Sequence, residues 1–580
     1  MTERPRVLVE LGDELDRAAQ RTLTGERKGT ALRSRGAASS TVGGVIAALA
    51  AGSAVAVAVV AILVLGHHHP ASRKAASTKP AAAAGARGEI VDRSGKVLVK
   101  SRQAIAVQIV PSGLPVPIRN NTSVSRLAAP PAADEALYDR LAAVLGIKTT
   151  AQRCDLVGNA RGHAEIYRPR LPEIACDVAQ TSYQLPRADA TVATDVPLRV
   201  LYYLTGHRGE SGLEGFYNQY LRGREGSPGD TLKTSLDLKL QQTGQQSLAH
   251  SLSSNAAGGA GEAFVAMDPQ NGQVYGMGSL PSFDPSVLTK PISKPAYNRL
   301  YGPATSDPQK NRAIDDLYPT GSTFKVITAT AALESGVWGL GETYDDTGEY
   351  CLGSRVCLHN QGQVSNGTLN LVNAIRVSDD VFFYNLGAKL NADPQTHPLG
   401  GPLQQWARLF NLAVGQGGLL VTPLQLAVAY GAIANGGTIV HPHIGLQIDD
   451  PTGKVLQNID PPPIRHISID PAYLGAIREG LREAASAPGG TSAGVIGKFP
   501  LPVYGEAGTA QTFPHGVEED QAWYAAYVPA SATRKSIVVV VTVERGGFGA
   551  HAAAPVARQI LSQWFRGTPG PYVAGTSMTG

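Results

Sequence analysis

The feature that most constrains this chain lies near its start. Between Ala37 and Pro70 there is no Asp, Glu, Lys or Arg, and Val42 to Gly66 is almost continuously apolar. At about 1.5 Å of helical rise per residue, that run is long enough to cross a hydrocarbon core ~30 Å thick. A single membrane-spanning helix over 42–66 is expected. A cleaved secretory signal has a shorter apolar core and a small-residue cleavage site close behind it, whereas this run comes after a polar tail over 1–41, which favours an anchor. The flanking charges nearly balance, with Arg27, Lys28, Arg33 and Arg35 before the run and Arg73, Lys74 and Lys79 after it, and lean weakly towards an internal N-terminus.

Beyond the apolar run the chain reads as a folded body on a tether. Residues 67–86 are rich in Ala, Ser and Pro and poor in large apolar side chains, as a linker is. His67 to His69 have no partner cluster and read as solvated rather than metal-binding. The chain has 580 residues, enough for two or three domains, and 51 Lys+Arg against 47 Asp+Glu. A net +4 without a basic stripe leaves no electrostatic footprint for a nucleic acid.

The periodicities give a fold class. RGEIVDRSGKVLVKS from Arg87 alternates around a Ser94-Gly95 turn, as a hairpin does, and a mixed region continues to Gly229. From Asp230 the elements are better bounded. EAFVAMD, PQNG and QVYGMGS make a strand, turn, strand unit, WYAAYVP and SIVVVVTVE are two more strands, and AAAPVARQILSQWF is a closing amphipathic helix. Helical stretches such as FKVITATAALESG and TPLQLAVAYGAIANGG lie between them. Strands from both ends of a domain with helices inserted between them predict an α+β layering.

In YPTGSTFKVITA, Pro319 and Gly321 make a break, after which Ser322 and Lys325 stand at i and i+3 on the first turn of a helix. Burial of such a pair favours the neutral amine, which can take the serine proton, while the helix N-terminus favours negative charge nearby. That is an acyl-transfer arrangement. A Ser-x-x-Lys string alone arises by chance roughly once in a chain this long, and read alone it is also an ordinary exposed helix start.

Its surroundings lift it above chance. RGEIVDRSGKVL (87–98), GLEGFYNQYLRG (212–223), LKTSLDLKLQ (232–241), NRAIDDLYPTGSTFK (311–325) and NLAVGQGGLLVTPLQLA (411–427) together resemble class B penicillin-binding proteins, the peptidoglycan D,D-transpeptidases of cell elongation. The resemblance implies an α+β penicillin-binding/β-lactamase-like transpeptidase domain, a sheet with helices on both sides, over 230–567. It also implies a pedestal over 87–229 and a flexible tail over 568–580. The chain would then be a single-pass protein of the inner membrane with its catalytic domain outside, which settles the orientation. Ser322 would attack the D-Ala-D-Ala carbonyl of a stem peptide, with Lys325 as general base. A neighbouring peptide's amine would resolve the acyl-enzyme, and β-lactams would acylate the same serine. The family's Ser-x-Asn or Ser-x-Asp motif falls on Ser378-Asp379-Asp380, where Ser378 would relay a proton to the leaving amine and Asp380 would order the relay. Read alone, Ser378 and Asp380 equally suit a helix start. The oxyanion hole would use the backbone N–H groups of Ser322 and Thr509. A SEDS-type glycan polymerase is the implied partner, and no cofactor or metal is expected.

Two departures stand against these matches. The family's Lys-Thr-Gly, on an edge strand lining the cleft, aligns with Glu506-Ala507-Gly508, with Thr509 next in line as in the family. An anion then replaces the cation expected to bind the terminal carboxylate, and Ala507 replaces the threonine whose hydroxyl would assist. At ~4 Å and an effective dielectric near 20, one such contact is of order 4 kcal/mol before screening. A carboxylate beside Lys325 also favours its ammonium form. Arg545 and Lys498 are candidates for a substitute charge. The second departure is a Gly-x-x-Thr-Gly-x-x-x-Pro segment of the family that is missing here, since WARLF (406–410) runs directly into NLAVGQG at Phe410-Asn411.

The four cysteines pair in sequence as Cys154/Cys176 and Cys351/Cys357, and an external location would permit disulfides. Cys351, Cys357 and His359 read as a loop staple or free thiols rather than a metal site. No Glu-x-x-Leu-Asn string, by resemblance the deacylating element of class A β-lactamases, is present, which argues against a hydrolytic enzyme. Two functions remain open: a penicillin-binding D,D-transpeptidase, or a catalytically impaired relative that acts as scaffold or regulator of the polymerase.

Overall fold

IVVVVTV at 537–543 is buried on both faces along its whole length, the signature of a central strand rather than an edge. The computed structural model describes residues 86–100, 212–224, 227–254, 261–285, 287, 294–302, 306–352, 356–391, 410–512 and 519–576. For strands Gln103–Ile109, Ala151–Asp155, Glu165–Pro169, Ser182–Gln184 and Leu198–Leu204 it describes the backbone. The expected tail (1–41) and anchor (42–66) lie outside these residues, as does the linker up to residue 85. Among the described residues no helix is long and apolar enough to cross a membrane.

The elements that place the site are α1 (Leu238–Ser254), β1 (Glu262–Met267), β2 (Val274–Leu280), α2 (Lys325–Glu334), α3 (Leu371–Val377), α4 (Asp380–Asn391), α5 (Pro423–Asn435), α6 (Pro471–Ser486), β3 (Tyr504–Thr512), β4 (Glu519–Val528), β5 (Ile537–Val543) and α7 (Gly549–Arg566). The five strands form one antiparallel sheet in the order β2-β1-β5-β4-β3. Its two outer strands come from opposite ends of the domain, the α+β layering the sequence predicts. Alternate residues feed two cores. Trp523, Ala525, Tyr527, Val538 and Val540 face the layer containing α2 to α6. Ala522, Tyr524, Ala526, Val539 and Val541 face α1 and α7. Helices therefore cover both faces.

A second five-stranded sheet joins the hairpin Ile90–Val91/Val97–Val99 to Thr231–Thr234, Gly445–Asp449 and Val455–Asn458. The hairpin turns at Ser94-Gly95, where Asp92 Oδ1 accepts from Ser94 and Lys96 N–H groups. Ile90 pairs in parallel with Leu232, so the expected boundary at 229/230 falls inside this sheet.

The turn before α2 is clamped from three sides. Trp523 Nε1 donates to the Pro319 carbonyl (2.7 Å), Tyr430 Oη to the Thr323 carbonyl (3.0 Å), and the Thr320 and Gly321 N–H groups to the Gly415 carbonyl (3.1 and 2.9 Å). Gly415 sits at φ +70°, and a Cβ there would lie 2.2 Å from the Gly321 oxygen and 2.4 Å from Thr320 Oγ1. Gly415→Ala is therefore expected to destabilise the protein by roughly 2–4 kcal/mol, from left-handed strain plus the clash. Urea denaturation checks this, with Gly418→Ala, whose added Cβ would meet nothing within 4 Å, expected to stay near parent stability.

Candidate active site

Ser322 lies on a 3-10 turn, Gly321–Phe324, and Lys325 opens the α-helix behind it, so the expected single helical turn is a 3-10 to α junction. Every residue of α2 from Lys325 to Leu333 is buried, which makes it a core helix and brings the amine inside with it. Gly321 is at φ +55°, and a Cβ on it would meet the Thr509 carbonyl at 2.6 Å. One on Gly508 would meet the Thr320 carbonyl at 2.8 Å. The glycines let the edge strand β3 run against the serine turn.

Lys325 Nζ, on a side chain 1% exposed, reaches Ser378 Oγ at 3.0 Å, the Ser378 carbonyl at 2.6 Å and Asp380 Oδ1 at 2.8 Å. Three acceptors match the three protons of an ammonium. Among the described residues no hydrogen bond joins Lys325 to the Ser322 hydroxyl. Such contacts often tighten only when substrate arrives.

Ser378 is held in a conformation that few non-glycine residues adopt, φ +56° and ψ +49°, where it ends α3. Several bonds around the next residue fix it there. Asp379 N–H donates to the Ala374 carbonyl (2.9 Å), and Asp379 Oδ1 accepts from Phe382 N–H (2.6 Å), capping α4. Asp379 Oδ2 accepts from Asn360 (3.1 Å) and Asn366 (2.8 Å). Asn360 Nδ2 also donates to Asp346 Oδ2 (2.9 Å), and its Oδ1 accepts from Val381 N–H (3.0 Å). Burial, first, raises the Asp379 carboxyl above the usual carboxylate range against the pull of these donors and Lys325. The strings that flag Ser378 and Asp380 contain Asp379 but give it no role, and Asn360 and Asp346 carry no local signal at all.

The third-motif positions divide between the faces of the sheet. Glu506 pairs across from Ala525 and faces the α2 side, whereas Ala507 pairs across from Tyr524 and faces the α1/α7 core. The structure thus brings Glu506 to Lys325, Ser378 and Asp380 and points the Ala507 methyl away. Glu506 is 1% exposed, and no hydrogen bond of good geometry reaches either carboxylate oxygen. Burial drives its carboxyl up to about 8, partly offset by the nearby Lys325 charge and Ser378 hydroxyl and reinforced by Asp380. Arg545 pairs with Glu519 at 2.7 Å, and Lys498 is exposed.

Cys351 and Cys357 stand directly opposite in the hairpin Glu349–Leu352/Val356–His359 and form a disulfide, so the pair is a staple and not two free thiols. Glu349 lies beside these sulfurs, whose bond to each other leaves no thiolate for a metal. Cys154 is seen as backbone only, and Cys176 lies outside the described residues. Phe410, at the expected loss, is fully buried against Tyr350 and Tyr384, while residues 392–409 lie outside the described residues.

A buried serine and lysine on one turn, a second serine on the amine and a flanking edge strand define an acyl-transfer site of the serine transpeptidase class. The family model for the penicillin binding protein transpeptidase domain matches residues 262–562, and the chain belongs to this family. Among its relatives, the peptidoglycan D,D-transpeptidase MrdA of Salmonella typhimurium is 26% identical over 430 residues, covering 63% of this chain and 67% of that protein. PbpA of Mycobacterium tuberculosis, another peptidoglycan D,D-transpeptidase, is 29% identical over 381 residues, 59% of this chain and 74% of that one. Among solved structures, Pseudomonas aeruginosa PBP2 in complex with WCK 5153 superposes with a TM-score of 0.56 at 25% identity, covering 83% of this chain and 97% of that chain. A ceftriaxone acyl-enzyme of M. tuberculosis penicillin-binding protein A gives 0.50 at 27%, covering 60% and 82%.

Two measurements probe the site's wiring. Asn360→Ala leaves Val381 N–H and two carboxylates short of partners and is expected to cost about 2–3 kcal/mol by chemical denaturation. For Glu506, the folded carboxyl holds its proton more tightly than its ordinary value of 4.5 would allow. Folding is therefore unpenalised below that pH and loses stability as pH rises towards about 8. The stability advantage of Glu506→Gln over the parent should widen by on the order of 1 kcal/mol per pH unit across this window and then level off. Denaturation curves whose difference stays constant with pH would contradict that assignment.

Proposed function

We propose that this protein is an elongation-type peptidoglycan D,D-transpeptidase that cross-links stem peptides through a Ser322 acyl-enzyme and is acylated at Ser322 by β-lactams. The observation that carries this reading is the convergence of Ser322, Lys325, Ser378 and Asp380 within one buried cluster, in a chain of this family. Ser322 Oγ attacks the penultimate D-Ala carbonyl while Lys325, as the neutral amine left when one of its three protons has departed, takes the serine's proton. Ser378, in contact with that amine, passes a proton to the departing D-Ala nitrogen as the C–N bond breaks. A second stem peptide's amine then displaces the serine. The N–H groups of Ser322 and Thr509 stabilise the oxyanion, as the packing of β3 on the serine turn supports.

Residues 42–66 anchor the chain, with the catalytic domain outside the cell membrane and 87–229 as a pedestal to meet a SEDS-type glycan polymerase. The apolar run and the family support that placement. One observation favours a second reading. Glu506 stands buried where the family has a lysine and so offers no cation to a substrate carboxylate, as a scaffold that has lost catalysis would show.

Labelled penicillin distinguishes the two. The solubilised chain is expected to be labelled, with no labelling in Ser322→Ala and at least a hundredfold slower labelling in Lys325→Ala. A parent chain that stays unlabelled after prolonged exposure, while Glu506→Lys labels, supports the scaffold.

A further inference from the structure

The departing nitrogen needs a proton, and the Ser378 hydroxyl can pass one on only if it is itself resupplied, because an alkoxide in so buried a cluster has no water to stabilise it. Two groups stand behind that hydroxyl. Lys325 Nζ lies 3.0 Å from Ser378 Oγ, and the Glu506 carboxyl, on β3, is within reach of the same hydroxyl. They differ in what each leaves behind. A proton drawn from Lys325 strips Asp380, whose Oδ1 is 2.8 Å from the amine, of its cation. A proton drawn from Glu506 creates a carboxylate beside the ammonium that has just taken the serine proton, and that pair attracts.

Glu506 also has a proton to give. It is wholly buried, neither oxygen has a hydrogen-bond partner of good geometry, and its carboxyl, raised to about 8, is neutral at physiological pH. The other ionisable groups on the elements around it do not take over this part. Tyr430, from α5, and Tyr524, from β4, are held above the usual phenol range by burial. Asp379 is engaged by Phe382 N–H, Asn360 and Asn366. On α6, Arg478 donates to the Ile433 and Ala434 carbonyls and Arg482 to Glu479. Arg376, in α3 two residues before Ser378, has its Nε buried without a partner. A guanidinium keeps its proton in a protein, so Arg376 contributes to the field in which Glu506 titrates and is not itself the donor. α1 and α7 cover the other face of the sheet.

We propose that Glu506 is the proton source behind Ser378: as the neutral acid it resupplies the hydroxyl that protonates the departing amine, and as the carboxylate it takes a proton back from the acceptor amine. This rests on the transpeptidase function. In acylation Ser322 Oγ bonds to the acyl carbon and its proton goes to neutral Lys325. As the C–N bond breaks, the Ser378 proton goes to the departing nitrogen and the Glu506 proton to Ser378. In the second half the acceptor nitrogen bonds to the acyl carbon, its proton passes through Ser378 to Glu506, and Lys325 returns the serine proton. Both groups end as they began.

The test uses the detergent-solubilised full chain, a labelled acceptor amine and two donors with the same terminal carboxylate: N-acyl-D-alanyl-D-alanine, whose amine must be protonated to leave, and the thioester N-acyl-D-alanyl-D-thiolactate, whose thiolate leaves without a proton. The ratio of kcat/KM for the two cancels the ionisation of Lys325, which both need. In the parent the amide-to-thioester ratio is expected to hold steady below about pH 8 and to fall above it, as Glu506 loses its proton. Glu506→Gln, similar in shape but without an acid proton, should lower the ratio at least roughly tenfold at neutral pH and make it independent of pH, while Glu506→Asp should recover part of the ratio and its fall. Thermal melts establish that each variant is folded, and the parent's own profile decides the matter should the variants fail to fold. A ratio that does not change with pH in the parent, or that Glu506→Gln leaves intact, overturns the inference with the transpeptidase standing. So does a parent that opens only the thioester, or one labelled by penicillin at Ser322 that turns over neither donor. Absence of both turnover and Ser322 labelling removes the transpeptidase function, and this inference with it.

Discussion

The site depends on one amine. Lys325 Nζ is the point where the helix behind the nucleophile meets the loop between α3 and α4, and at 1% exposure it has no water to fall back on. A buried amine must be saturated by protein acceptors or its desolvation is uncompensated. Ser378 supplies two of those acceptors from a left-handed conformation, which by itself is unfavourable by about 1–2 kcal/mol. The Asp379 cap, held in turn by Asn360 and Asn366, offsets that strain. Backbone strain, the buried charge and the loop network are thus one balance rather than three features.

The sheet explains why such a site can open to substrate at all. A central strand buried on both faces fixes the frame, and the site sits at the opposite extreme, against edge strand β3. An edge leaves backbone groups unpaired and available. Here the serine turn lies against part of that edge, spaced by Gly321 and Gly508, and Gly415 locks the turn from the other side. Three glycines at close approaches set distances that any Cβ would enlarge.

Much of this was legible in the sequence where the signal was local or periodic. The valine run of β5, the hairpin at Ser94-Gly95, the helix of α7 and the Ser-x-x-Lys spacing all come from neighbours a few residues apart. Ser378 and Asp380 needed the family resemblance, because a serine before a helix is ambiguous on its own. Asn360 and Asp346 were illegible, since their value comes from contacts across loops that have no period. The 3-10 geometry at Ser322 and the facing of Glu506 and Ala507 were hidden too. An i, i+3 pair fits either helix type, and a motif string does not say which residue of a strand turns inward.

That facing changes the meaning of the departure from Lys-Thr-Gly. Read along the string, two of the motif's residues are altered. Read across the sheet, only Glu506 enters the polar cluster, while Ala507 fills the opposite core beside Tyr524. A glutamate at that depth, next to Asp380, is tolerable in two ways: by sharing the Lys325 charge or by holding its own proton. The first draws on a cation whose three donors already have acceptors. The second fits a carboxyl raised to about 8 and leaves the cluster near neutrality at physiological pH. The exchange of lysine for glutamate therefore removes the site's surplus positive charge without installing a full negative one.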